Sequence, residues 1–233
     1  KKEFDVVVDE IHGIPFTPLY VRVPIVAFIH EVAGDIWDSM YPFPINMVGR
    51  VLEMLYLRLY RNILFWADAQ ATIGDLVSHG VPKAQCTAIP CPPLSRVITI
   101  LPQKERIPTF LFVSRIVKMK GIEEVIRAFS LICDVLPAAQ LWVIGTGEGV
   151  YVDTLRSMLK SDDIRSRITF FGFVPEEKKL VYMQKAHVLL HASVKEGWGL
   201  VVLEAASQGT PAVVYDTHGL SEVVKHGKTG IVI

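Results

Sequence analysis

Short apolar runs alternate with segments of helical period along nearly the whole chain. That alternation restricts the fold to parallel sheets flanked by helices, because parallel neighbours need a crossover and a helix is the usual one. In the first part, Phe4 to Asp9 and Pro24 to His30 read as buried strands. A long helix around Asn46 to Trp66 follows, then strand-like Ala67 to Ile73, a short helix ending near Gly80, and a strand Gln85 to Ile89. Five prolines from Pro90 to Pro108 break every periodicity, as a linker would. Beyond them the strands are Thr109 to Ser114, Gln140 to Ile144, Arg167 to Phe171, Ala186 to His191 and Ala212 to Tyr215. Helices at Ile122 to Leu136, Val150 to Lys160, Glu176 to Gln184 and after Gly199 separate them. The expected organisation is a domain over 1–95, a linker over 96–107 and a second domain over 108–233.

The chemistry concentrates in Glu196-Gly197-Trp198-Gly199-Leu200-Val201-Val202-Leu203-Glu204. Two carboxylates flank a Gly-x-Gly turn that follows a buried strand and opens a helix, which Gly209-Thr210-Pro211 stops. Backbone amides of Gly199 to Val201 then point out of a helix N-terminus, where a phosphate binds well. An anion site between two hydroxyl-accepting carboxylates suits a sugar nucleotide, with diphosphate on the amides and diols on the acids. Arg115 and Lys120 bracket the loop after strand 109–114, where cations can clamp a departing diphosphate. An isolated pair of this kind is more often a solvated surface pair; the downstream motif reverses that preference.

These stretches resemble the paired-glutamate motif of retaining glycosyltransferases of the GT-B fold, family 4. Phe112-Val113-Ser114-Arg115 with Lys120-Gly121 resembles the family's Arg…Lys-Gly signature. Thr210-Pro211-Ala212-Val213-Val214 and Gly219-Leu220-Ser221-Glu222-Val223-Val224 resemble its next strand and turn. The match runs from about residue 108 to the end, with a weaker echo over 5–90. The resemblance implies two Rossmann-like parallel-sheet domains facing a cleft, the N-terminal one only partly present, so the chain looks cut at both ends. It implies transfer of a hexosyl group from a nucleoside diphosphate sugar to a glycan or lipid-linked acceptor, as in polysaccharide biosynthesis. Glu204 would hold the ribose, Glu196 the sugar hydroxyls, and Arg115 and Lys120 the leaving phosphate. His30 would face the donor sugar from the other domain. Gly172-Phe173-Val174 would lie by the nucleobase, with Phe173 either stacked on it or filling the core. No divalent metal or other cofactor is implied, and no Asp-x-Asp motif stands ready to hold one. A noncatalytic donor-binding subunit on the same fold is the alternative.

Several departures from the family pattern bear on acceptor contacts and domain packing: Pro90-Cys91-Pro92-Pro93, Ala69-Gln70-Ala71-Thr72 and His218-Gly219. Gly145-Thr146-Gly147-Glu148-Gly149 fails the dinucleotide fingerprint, since Val150 stands where its last glycine belongs. Gly145 and Gly147 read first as a tight turn, and second as room for donor phosphates. His187 and His191 have metal-like spacing but fall on a strand with no third ligand nearby, which favours a structural role for both.

Lys+Arg and Asp+Glu are equal at 24 each, which argues against a general nucleic-acid binder. Three cysteines without a framework make a reducing, cytoplasmic compartment the default. On the helix 46–66, Arg50, Glu53, Arg58 and Arg61 are expected on the polar side, with Met47, Val48, Val51, Leu52, Leu55, Leu59 and Trp66 packed on the sheet. The sharper reading makes it an interfacial helix in peripheral contact with the cytoplasmic face of a membrane.

Overall fold

The computed structural model describes residues 4–11, 17–34, 36–159 and 161–233. The chain divides into two compact units, Lys1–Cys91 and Pro92–Ile233. In the first unit β1 (Val7–Glu10), β2 (Ile25–Ile29), β3 (Leu64–Ala67) and β4 (Cys86–Ala88) form a parallel sheet in sequential order. Helices α1 (Ile36–Met40) and α2 (Ile45–Leu59) lie between β2 and β3, and α3 (Gln70–Ser78) lies between β3 and β4. Ile29, Leu57, Tyr60, Phe65 and Leu76 are buried at its centre.

Three features of this unit differ from the sequence expectation. The long helix ends at Leu59, and Trp66 belongs to β3, whose residues alternate between exposed and buried as a strand requires. The region expected as a strand to Ile73 instead turns at Asp68 and starts α3 at Gln70. Helix α2 also turns Glu53, expected on the polar side, inward, while Arg50 and Arg58 stay exposed. Its buried stripe is Gly49, Glu53 and Tyr56, one helical repeat apart, and it leads to Tyr60 at the C-cap. Met47, Val48, Val51, Leu55 and Leu59 are 40–53% exposed. The reason is polar. The Glu53 carboxylate, 3% exposed, accepts the amides of Ala33 and Gly34 at 2.8 Å each and tethers the loop after β2. Gly49 allows the Trp37 ring to lie on the helix, where any Cβ would collide with it.

The second unit is a six-stranded parallel sheet in the order β10-β9-β8-β5-β6-β7. Its strands are β5 (Thr109–Val113), β6 (Gln140–Ile144), β7 (Ile168–Gly172), β8 (Val188–His191), β9 (Ala212–Val214) and β10 (Gly230–Val232). Its helices are α4 (Ile122–Val135), α5 (Gly149–Met158), α6 (Asp162–Ser166), α7 (Glu176–Lys185), α8 (Leu200–Ser207) and α9 (Leu220–Val223). Strand β5 faces both layers: Phe112 joins Phe129, Ile126 and Leu155, while Leu111 joins Trp142, Met183 and Leu189. Each such fully buried side chain stabilises by about 1.5–3 kcal/mol relative to exposure. The closing strand β10 has no counterpart in the sequence reading.

The stretch expected as a linker is bonded to this unit. Ile98 donates its amide to Ser207, Gln208 donates to the Arg96 carbonyl, and Lys104 Nζ reaches Gly209 O at 2.8 Å and Thr210 Oγ1 at 2.7 Å. Among the described residues no helix is long and apolar enough to cross a membrane.

Candidate active site

The chain leaves β5 on one side through β6 and β7, then returns to β8 on the other side of β5. Open parallel sheets bind ligands at such a switch point, beyond the carboxyl ends of the strands. The loops after β5 and β8 meet there. Lys120 ends a short 3-10 turn, Lys118–Lys120, and Gly121 then opens α4 with φ 69°. The β8 loop is tied to that turn by Val194 N donating to Met119 O and by Ser193 Oγ donating to the same carbonyl.

This junction brings Lys120 Nζ to 2.6 Å from Glu196 Oε1, across 76 residues of sequence. His191, the last residue of β8, sets its Nε2 2.9 Å from the same oxygen. Burial pushes the Glu196 carboxyl up, but the hydrogen bond from His191 and the charge of Lys120 outweigh it and hold it at about 2. Glu196 is therefore an ionised, fixed acceptor at neutral pH. The sequence favours a structural role for His191; the fold makes it a direct partner of Glu196. Only its place five residues before the glutamate, at the end of a strand, hinted at this.

Gly197, Trp198 and Gly199 carry the chain from Glu196 into α8, with Gly199 at φ 67° as its N-cap. The amides of Val202 and Leu203 turn back to the Gly199 carbonyl, so those of Leu200 and Val201 lead the helix outward. The turn is held from behind by Gly219. Its φ is 79°, and a Cβ there would press on the carbonyls of Glu196 and Gly197.

Glu204 lies within α8 and is paired with Lys179 of α7, Nζ to Oε2 at 2.7 Å. Lys179 also reaches Glu176 at 2.9 Å. Burial lowers the Lys179 ammonium, but its bonds to Glu204 and Glu176 prevail and raise it. Lys179 was not singled out from the sequence, because nothing in a run of charged helix residues marks which one turns inward. Glu204 opens on a groove shared with Ser95, Arg96, Glu176, Leu180 and Gln208.

Around this centre, Arg115 is exposed after β5, and no side-chain ion pair engages it among the described residues. Gly145 and Gly147 press on the backbone of Ser114 and Ile116, so their lack of a side chain serves loop-on-loop packing. Gly172 ends β7, and its carbonyl accepts the Gly145 amide at 2.9 Å. Phe173 is 80% exposed and does not fill the core, and Val174 next to it is half-buried.

His30 belongs to the first unit and is the residue after β2. Its Nδ1 lies 2.5 Å from Asp68 Oδ2 and its Nε2 3.3 Å from Glu10 Oε1. Asp68 is 1% exposed. The Cys91 thiol, pushed up to about 11 by burial and by its hydrogen bond with Asp68, stays protonated. Asp68, the residue after β3, and Glu10, the last of β1, are ligands of His30 that the sequence reading missed. Both stand at the same sheet edge as His30.

The sequence profile of the glycosyl transferases group 1 family matches residues 97–233. The chain is 37% identical over 121 residues to the uncharacterized glycosyltransferase MJ1607 of Methanocaldococcus jannaschii, a match covering 52% of this chain and 30% of that protein. The chain thus spans only about a third of the length of the curated relatives it matches. Among solved structures it is similar to sucrose-phosphate synthase of Thermosynechococcus elongatus, with TM-score 0.77 and 19% identity over 100% of this chain and 61% of that one. It is also similar to Anabaena Alr3699/HepE in complex with UDP-glucose, with TM-score 0.71 and 21% identity over 91% and 58%. These likenesses establish the GT-B fold with its Rossmann-like parallel sheets. With the profile spanning more than half of it, the chain belongs to the glycosyl transferases group 1 family.

Proposed function

We propose that the second unit is the donor-binding domain of a retaining glycosyltransferase, which moves a hexosyl group from a nucleoside diphosphate sugar to a glycan or lipid-linked acceptor. The observation that carries the reading is the meeting of Lys120, Glu196 and the α8 N-terminus at the switch point of the sheet. A neighbour of the same fold is solved with UDP-glucose, which supports a nucleotide-sugar donor.

In this reading the diphosphate lies on the amides of Leu200 and Val201. Arg115 and Lys120 stabilise it as its charge grows on departure. Glu196 accepts a sugar hydroxyl and favours the oxocarbenium-like transition state. Glu204 holds the ribose, with Phe173 beside the base. The departing phosphate takes the acceptor's proton, so retention needs no carboxylate nucleophile of the kind glycosidases use. No metal is required. The exposed apolar arc of α2, with Arg58 on the same helix and Arg61 just beyond its end, supports peripheral contact with a membrane.

A thermal-shift titration with UDP, GDP and ADP tests the donor site. A ligand that binds only the folded state raises the melting temperature, by an amount set by its concentration over Kd. A rise with one nucleotide, lost in Glu204→Ala, is the expected result and names the donor class. No rise with any of the three refutes the reading.

A further inference from the structure

We infer that His191 is a positioning residue for Glu196: it anchors one carboxylate oxygen permanently, so that Lys120 can leave for the donor phosphate while the other oxygen faces the sugar. The inference rests on the proposed role of Glu196. Its starting point is the double occupancy of Oε1. Lys120 Nζ and His191 Nε2 both bond this oxygen, and none of the described residues bonds Oε2. A carboxylate only accepts, so Nε2 carries the proton.

The two donors differ in what they are free to do. His191 is fully buried, its backbone is paired with Val214 in the sheet, and its ring stacks on Phe112 at 6.5 Å. It cannot follow a ligand. Lys120 sits on a flexible four-carbon stem at the head of a loop, and its ammonium can swing to an arriving phosphate. Without a second anchor, Glu196 would lose its support at that moment.

Packing alone does not explain a histidine here. Nδ1 is buried with no hydrogen-bond partner among the described residues. An apolar ring of the same size would fill the space without that unpaired nitrogen, so the Nε2 bond is what the histidine contributes.

The test compares His191→Phe and His191→Gln with wild type in nucleoside diphosphate release from UDP-glucose and GDP-mannose, with melting temperatures alongside. His191→Phe keeps a planar aromatic ring, somewhat larger, and removes the donor. It should lower kcat by about 10–100-fold, the usual effect of a small misplacement of a reacting group, with donor KM within about twofold. Gln places an N–H near the position of Nε2 and should recover most of the loss. Wild-type rates in His191→Phe overturn the inference. So does an equal loss in both variants that tracks their melting temperatures, which marks a purely structural residue. Equal rates for wild type and Glu196→Gln overturn the functional reading of Glu196 itself, and this role with it. That failure is distinguishable because it appears with His191 intact.

Discussion

Replacing Lys120 with methionine keeps the aliphatic stem and removes the charge beside a carboxylate that is only 15% exposed. The size of the effect follows from Glu196. Its carboxyl is held at about 2 against an ordinary 4.5, and at about 1.4 kcal/mol per pH unit that preference for the ionised form is worth roughly 3 kcal/mol. His191 supplies part of it, so the variant should lose about 1–2 kcal/mol at pH 7.5. In a domain of this size that is on the order of 2–8 °C in melting temperature. The pH dependence has a definite sign. The folded-state value is depressed, so the stabilisation is complete above the unfolded value and is lost as pH falls from 4.5 towards 2. The gap between wild type and Lys120→Met should therefore be constant from pH 7.5 to 5 and close below 4.5. Chemical denaturation of both proteins across that range measures it. A gap at pH 7.5 below 0.3 kcal/mol or so, or one that persists undiminished at pH 3, would refute the argument that a charge-supported carboxylate organises the site.

Two glycine substitutions should move stability in opposite directions. Gly219→Ala puts a Cβ against the carbonyls of Glu196 and Gly197 at φ 79° and should cost at least about 2 kcal/mol. Because that strain falls on the Glu196 turn, it should also abolish any nucleotide-dependent rise in melting temperature. Gly74→Ala lies within α3 with open space around it and should stabilise the first unit by about 0.5–1 kcal/mol. Melting curves decide both, and a stabilised Gly219→Ala or a destabilised Gly74→Ala would contradict the packing described.

Much of the fold and of the candidate site was legible without coordinates, because both are encoded locally. Apolar runs of strand length separated by helical periods specify parallel sheets wherever the chain lies in space. The Glu196-to-Glu204 spacing, with Gly199 between, places one acid in a turn and the other within a helix by backbone geometry alone. The errors came where a long-range polar partner overrode the local pattern. On α2 the apolar residues are the better candidates for the inside, yet Glu53 goes in because two amides 19 and 20 residues upstream need an acceptor. His30 reads as the end of a buried strand until Asp68, 38 residues on, is placed at its Nδ1. His191 reads as a structural strand residue until β8 is seen to end beneath Glu196.

By itself, the sequence determined the fold class, the order of most strands and helices, and which residues are the candidates for the chemistry: an acid-flanked turn, a helix N-terminus and two cations. Tertiary structure alone decided which of them touch. Placing β8 beside β5, not after β7, brings Lys120 to Glu196 across 76 residues and makes His191 their common neighbour. Strand order depends on which sheet edge a returning crossover reaches, a long-range choice to which the period of the residues is blind.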